Sequence, residues 1–148
     1  MSAPFRYYLR VRYQECDAQH VVFNARYADF IDLASFEFLR AALPSPEACH
    51  DGSFEVQTVR QVIEWKAPAR FDDVLEIAVR TTRLGRTSFT LTFAIRRAGA
   101  QALLATSETV YVHVDKATYN KRPIVPEMRM ALERGAAAKV VDHAGYLN

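Results

Sequence analysis

Four side chains capable of chemistry fall close together near the start of the chain: Glu15, Cys16, Asp17 and His20. A carboxylate such as Asp17 can take a proton from water or attack a carbonyl itself. The same Asp in a turn can simply satisfy neighbouring N–H groups, and spacing alone leaves both readings open. Glu15, two residues earlier, would share a face with Asp17 on a strand end, either as a second carboxylate or as a solvated one. His20 titrates near neutrality, which suits a general base or a ligand as well as an exposed turn residue. Cys16 would be a nucleophile only beside a base that lowers its pKa, and with none in view it reads as a small buried residue.

The flanking patterns say what must hold these residues. Phe5, Tyr7, Leu9, Val11 and Tyr13 alternate with Arg6, Tyr8, Arg10, Arg12 and Gln14, a period of two that predicts a strand. A polar turn, Glu15–Phe23, follows, and Asn24 has the side chain of an N-cap. Tyr27, Phe30, Ile31, Ala34, Phe38 and Ala41 then repeat at helical spacing up to Leu43, where Pro44 and Pro46 end the helix. Asp17 is thus expected just ahead of a helix N-terminus, where N–H groups without intrahelical partners collect. Beyond Ser53 the chain alternates through four more strands. Val59, Gln61, Ile63 and Trp65 share one face of the first, Leu75 to Thr81 and Phe89 to Ile95 form the next two, and Leu103 to Val114 is the last. Short turns such as Leu84-Gly85-Arg86 make these strands antiparallel. The expected fold is α+β: about five antiparallel strands wrapped around one long central helix, the hotdog architecture. One domain, 1–148, is expected, with a core at about 5–126 and a tail, 127–148, carrying a short helix over Glu127–Ala138.

Composition narrows the partners. A net charge of +2 is too small to point to nucleic acid. Two cysteines without C-x-x-C spacing, and His50, His113 and His143 without ligand spacing, suggest neither a zinc site nor a disulfide framework. Arg6, Arg10 and Arg12 interrupt any signal-peptide core, and no apolar run is long enough for membrane insertion, so a cytoplasmic protein is expected. Exposed sheet edges predict a homodimer or homotetramer. There is no G-x-S-x-G, P-loop or G-x-G-x-x-G motif, which disfavours serine-hydrolase, NTPase and dinucleotide readings. Lys66, Arg70, Arg83, Arg86, Lys121 and Arg122 lie at strand ends and turns; clustered, they would hold phosphates, and scattered, they are a solvated surface. Phe23, Tyr27 and Phe71 would line an apolar slot or join the core.

The run Val11-Arg12-Tyr13, Cys16-Asp17-Ala18-Gln19, Val21-Val22, Asn24 and Tyr27 resembles the start of 4-hydroxybenzoyl-CoA thioesterase-like hotdog proteins. Pro68–Asp73, Gly85–Phe89 and Arg122–Pro126 resemble later pieces of the same family. The resemblance implies hydrolysis of an acyl-CoA thioester, with Asp17 in the position of the family's catalytic Asp. It also implies backbone N–H groups near Phe23, Asn24 and Ala25 as the oxyanion site and Tyr27 at the acyl pocket. Arg86 and Arg83 match the arginines that meet the CoA phosphates. No cofactor or metal is implied, since coenzyme A is part of the substrate. His20 stands where the family usually has Gly; if that Gly supplies φ > 0, the turn is expected to differ here. Two other readings share the motif: a hotdog enoyl-CoA hydratase or dehydratase using Asp17 and His20, and a non-catalytic acyl-CoA-binding protein.

Overall fold

The computed structural model of the chain describes residues 2–148. Its centre is helix α1, Arg26–Ala42, which buries Tyr27, Phe30, Ile31, Ala34, Phe38 and Leu39 on one side, as the helical spacing predicts. Each such large apolar side chain contributes about 1.5–3 kcal/mol when fully buried. Leu33 and Phe36 stay exposed on the other side, so the helix is clasped by the sheet rather than enclosed.

The sheet has six strands: β1 Phe5–Arg10, β2 Glu55–Trp65, β3 Val74–Leu84, β4 Ser88–Arg97, β5 Leu103–Val114 and β6 Val140–Asp142. Their order is β2-β5-β4-β3-β1-β6. Every neighbouring pair is antiparallel except β1 and β6, which run parallel. Leu75, Ile77 and Val79 of β3, and Phe89, Leu91, Phe93 and Ile95 of β4, are buried in the core beneath α1. A second helix, α2, spans Pro126–Arg134 and ends at Gly135, which takes the left-handed φ of 62° that a glycine permits.

Four details correct the sequence reading. Six strands replace five, because the three residues of β6 are too few to show a period. β1 stops at Arg10, and Tyr13–Glu15 form a short 3-10 helix that leaves Tyr13 74% exposed. Tyr8, on the face read as outward, is buried: its ring stacks on Tyr146 and its hydroxyl donates to Glu76. Val59 falls at a bulge between Thr58 and Arg60, which takes it out of the face shared by Gln61, Ile63 and Trp65.

The registers give the sheet two distinct ends. At one lie the N-terminus of α1, the end of β2, the start of β3 and residues Val21–Val22; this is the hairpin end. At the far end lie Leu84–Ser88, the start of β2, the end of β5 and the C-terminal half of α1.

Candidate active site

The turn around Asp17 is a β-hairpin loop. Cys16 bridges to Val22; the Asp17 N–H donates to Val21 O (2.9 Å), and the His20 N–H donates to Asp17 O (3.0 Å). This is the pattern of a three-residue loop whose third residue is left-handed, and His20 has φ 64°. The turn therefore keeps the backbone that a glycine would supply, contrary to the expectation that His20 changes it. Histidine tolerates this region better than most residues, at a cost of about 1 kcal/mol. Asp17 fixes the loop with its own side chain, Oδ1 accepting the Gln19 N–H at 2.8 Å. Oδ2 makes no hydrogen bond within the protein among the described residues, and Asp17 is exposed.

The hairpin is pinned from both sides. Val22 N–H donates to Ala69 O (2.8 Å), and Val21 bridges to Arg70. Arg70 N–H in turn donates to Asp73 (2.8 Å), which also accepts from Arg97 (2.9 Å). Burial works to raise the Asp73 pKa, but the Arg97 and Arg70 hydrogen bonds outweigh it and hold the carboxyl below its ordinary value. On the other side Glu15 is buried, which corrects the expectation that it is solvated or a partner for Asp17. Its Oε1 accepts the Arg12 backbone N–H (2.7 Å) and its Oε2 accepts the Arg12 guanidinium (2.8 Å). Both oxygens are therefore occupied in holding the turn. Cys16 is half-buried; burial and the neighbouring Glu15 and Asp17 charges push its thiol pKa up, the wrong direction for a nucleophile.

The helix begins without the predicted cap. Ala25 precedes α1 and no side chain caps it, so Asn24 is not a side-chain N-cap. Phe23 N–H donates to Glu15 O (2.9 Å), and Arg26 N–H donates to Phe23 O (2.9 Å). Between them, the N–H groups of Asn24 and Ala25 meet no protein acceptor among the described residues. Beside them is a cleft of about 400 Å³ lined by Val22, Asn24, Tyr27, Trp65 and Lys66. Tyr27 forms its buried wall. Its hydroxyl accepts the Ala69 N–H (3.1 Å), its ring meets the edge of Trp65 (6.4 Å), and burial raises its pKa, so it stays neutral. Phe23 and Phe71, half-exposed, stand on the surface rather than in the core. A larger depression, about 680 Å³, lies on the opposite face of the sheet among Arg60, Ala78, Arg80 and Ala94, away from the hairpin.

The basic residues divide between the two ends. Lys66 and Arg70 are at the hairpin end. Arg83 and Arg86 lie around the β3–β4 turn, with Arg122 on a neighbouring strap: Ile124 N–H donates to Arg86 O and Arg122 N–H to His113 O (both 2.9 Å). Arg83 is nine residues along β3 from Val74, which at strand rise is about 30 Å. One chain therefore does not bring Arg83 and Arg86 to Asp17.

The exposed carboxylate of Asp17 sits on a pinned hairpin that leads into two unpartnered N–H groups at the start of a buried helix; the apolar cleft beside those groups is lined by Asn24 and Tyr27 and not by Asp17. Residues 11–132 match the family model of the thioesterase-like superfamily. The chain belongs to that family. It is 36% identical over 111 residues to the acyl-CoA thioester hydrolase YbgC of Escherichia coli, covering 75% of this chain and 82% of that one. Among solved structures it is similar to a protein of Aquifex aeolicus, with TM-score 0.76 and 28% identity, covering 87% of this chain and 99% of that one. It is also similar to a gentisyl-coenzyme A thioesterase, with TM-score 0.76 and 25% identity over 86% of this chain and 98% of that one. The hotdog fold and the family resemblance read from the sequence are both borne out. Sequence reasoning missed the role of Glu15, although its spacing from Arg12, three residues apart across a turn, was the available signal.

Proposed function

We propose that the chain hydrolyses an acyl-CoA thioester to the free acid and coenzyme A, with Asp17 as the reacting carboxylate and no cofactor. The observation that carries this reading is the set of unpartnered Asn24 and Ala25 N–H groups at the start of α1, beside a cleft lined by Asn24 and Tyr27, on the segment that follows the Asp17 hairpin. A thioester carbonyl in the cleft would accept from those two N–H groups, and the helix N-terminus adds its positive pole. As the carbonyl carbon becomes tetrahedral, its oxygen gains charge, and each such donor is worth about 3–4 kcal/mol of barrier. The Phe23 N–H, already bound to Glu15, is left out of this role.

The Gln19 N–H fixes Oδ1 of Asp17 and leaves Oδ2 to react. Two routes balance. In one, Oδ2 attacks the carbonyl, the C–S bond breaks to release the CoA thiolate, and water hydrolyses the mixed anhydride. In the other, Oδ2 takes a proton from water as the water attacks. A single turnover in ¹⁸O water tests the first route: label in the Asp17 side chain marks attack by Oδ2 followed by hydrolysis at the Asp17 carbonyl, whereas trapping of the anhydride by hydroxylamine marks attack wherever the water enters. Release of free thiol across aryl-, short-, medium- and long-acyl-CoA tests the activity itself. No thiol from any of them would leave the hydratase or dehydratase and the binding-protein readings in its place.

A second copy is part of this proposal. Among the described residues β2 is paired only through β5, and Val59, Val62 and Trp65 on it are exposed. An open edge of eleven residues favours pairing with another chain. Antiparallel pairing of β2 with β2 of a second copy would lay the far end of that copy beside this hairpin end. Arg83 and Arg86 of the second copy would then meet the CoA phosphates.

A further inference from the structure

We infer that residues 139–148 guard the β1 edge, denying it to other copies so that association through the sheet can proceed only at β2. This segment lies beyond the family match, which ends at residue 132. After Gly135 the chain crosses the end of α1, where Lys139 Nζ donates to Ala41 O (3.1 Å), and lays β6 along β1. Arg6 N–H then donates to Lys139 O (3.1 Å), and His143 N–H donates to Tyr8 O (3.0 Å). These are outward-facing groups of β1, the template a foreign strand would use.

Three side-chain fastenings hold the guard, beyond what a chance tail would have. Tyr7 Oη and His143 Nδ1 share a hydrogen bond (2.9 Å), with the rings edge to face at 5.1 Å. Tyr146 stacks on Tyr8 at 5.2 Å. Asp142 accepts the Ala144 N–H (2.9 Å) and the Leu147 N–H (2.8 Å), folding the tail so that Tyr146 reaches Tyr8. β6 itself is only three residues long and half-exposed, so these contacts matter more than its ladder. A sheet with both edges free can add copies head to tail without closing. With β1 covered, the sheet's edge on that side is β6, three residues long and too short to template another strand, so β2 is the edge long enough to pair; it pairs with itself and stops at two.

The test compares the full chain with a chain ending at Ala138 by sedimentation velocity over a wide concentration range. Full chain at one defined mass, and truncated chain growing with concentration into species larger than that mass, is the expected result. A synthetic peptide of residues 139–148 added in trans should reverse the growth. A folded truncated chain that sediments like the full chain overturns the inference. If the truncated chain does not fold, a full chain with His143→Ala and Tyr146→Ala takes its place, with amide exchange at Arg6 reporting whether the edge has opened. Faster exchange with larger species supports the guard; faster exchange with unchanged mass overturns it. The inference leans on the proposed β2 pairing only for the final size. A monomeric full chain would remove that pairing, while growth on truncation would still identify the guard.

Discussion

The two ends of the sheet use the same backbone chemistry to opposite effect. At the far end polar groups are largely matched or sealed: Gly85 O accepts from Arg129 (2.6 Å), His113 Nδ1 bonds Pro123 O (3.2 Å), and Phe54, Phe89 and Tyr111 stack in series. At the hairpin end the supports, Glu15 and Asp73, are matched, while the groups they hold, Asp17 Oδ2 and the Asn24 and Ala25 N–H groups, are not. At the far end the polar groups named are matched within the chain, with the buried His113 Nε2 as an exception. At the hairpin end, half-exposed ion pairs fix the turn and leave exposed groups beside it free.

Substitutions can break this contrast. The largest expected effect is at the far end. Phe38→Ala, beside Phe5 in the core, should cost about 3–5 kcal/mol in urea unfolding while leaving kcat of the folded fraction near that of the parent. Next, Asp17→Asn should lower kcat by roughly 100-fold or more with little change in unfolding free energy; full-rate thiol release would remove Asp17 from the chemistry. Arg86→Ala crosses the contrast, because it is remote from Asp17 within one chain and near it only across the proposed pair. It should raise KM for CoA thioesters about ten-fold and leave turnover of a short thioester lacking the nucleotide unchanged.

His113 sharpens the comparison through pH. It is buried, its Nε2 has no partner among the described residues, and burial lowers its pKa from 6.5. Below pH 6.5 the unfolded chain takes up the proton before the folded chain does. Stability should therefore fall as pH drops from about 6.5 towards the lower folded value, and His113→Gln should flatten that slope in unfolding titrations. The smallest effect is expected at the hairpin tip. His20→Gly relieves the left-handed strain but gains chain entropy in the unfolded state, so it should shift stability by less than about 1 kcal/mol. A loss much larger than that would show that the imidazole itself holds the loop.

The sequence by itself determined the central helix, four of the strands nearly to their ends, and a polar turn carrying Asp17, because each rests on a local period or a turn composition; that the turn is a hairpin closed by Cys16 and Val22 came from the structure. Tyr27, Phe30, Ile31, Ala34 and Phe38 point inward because their spacing leaves the helix no other face to bury. Tertiary structure decided what local patterns do not encode. Glu15 became a buried support once Arg12 met it, Tyr8 turned from surface to core when Tyr146 arrived from the other end of the chain, and β6 exists only because β1 offers an edge. It also decided that Arg83 and Arg86 lie a strand's length from Asp17, since register, not sequence distance, sets where two turns of one sheet sit.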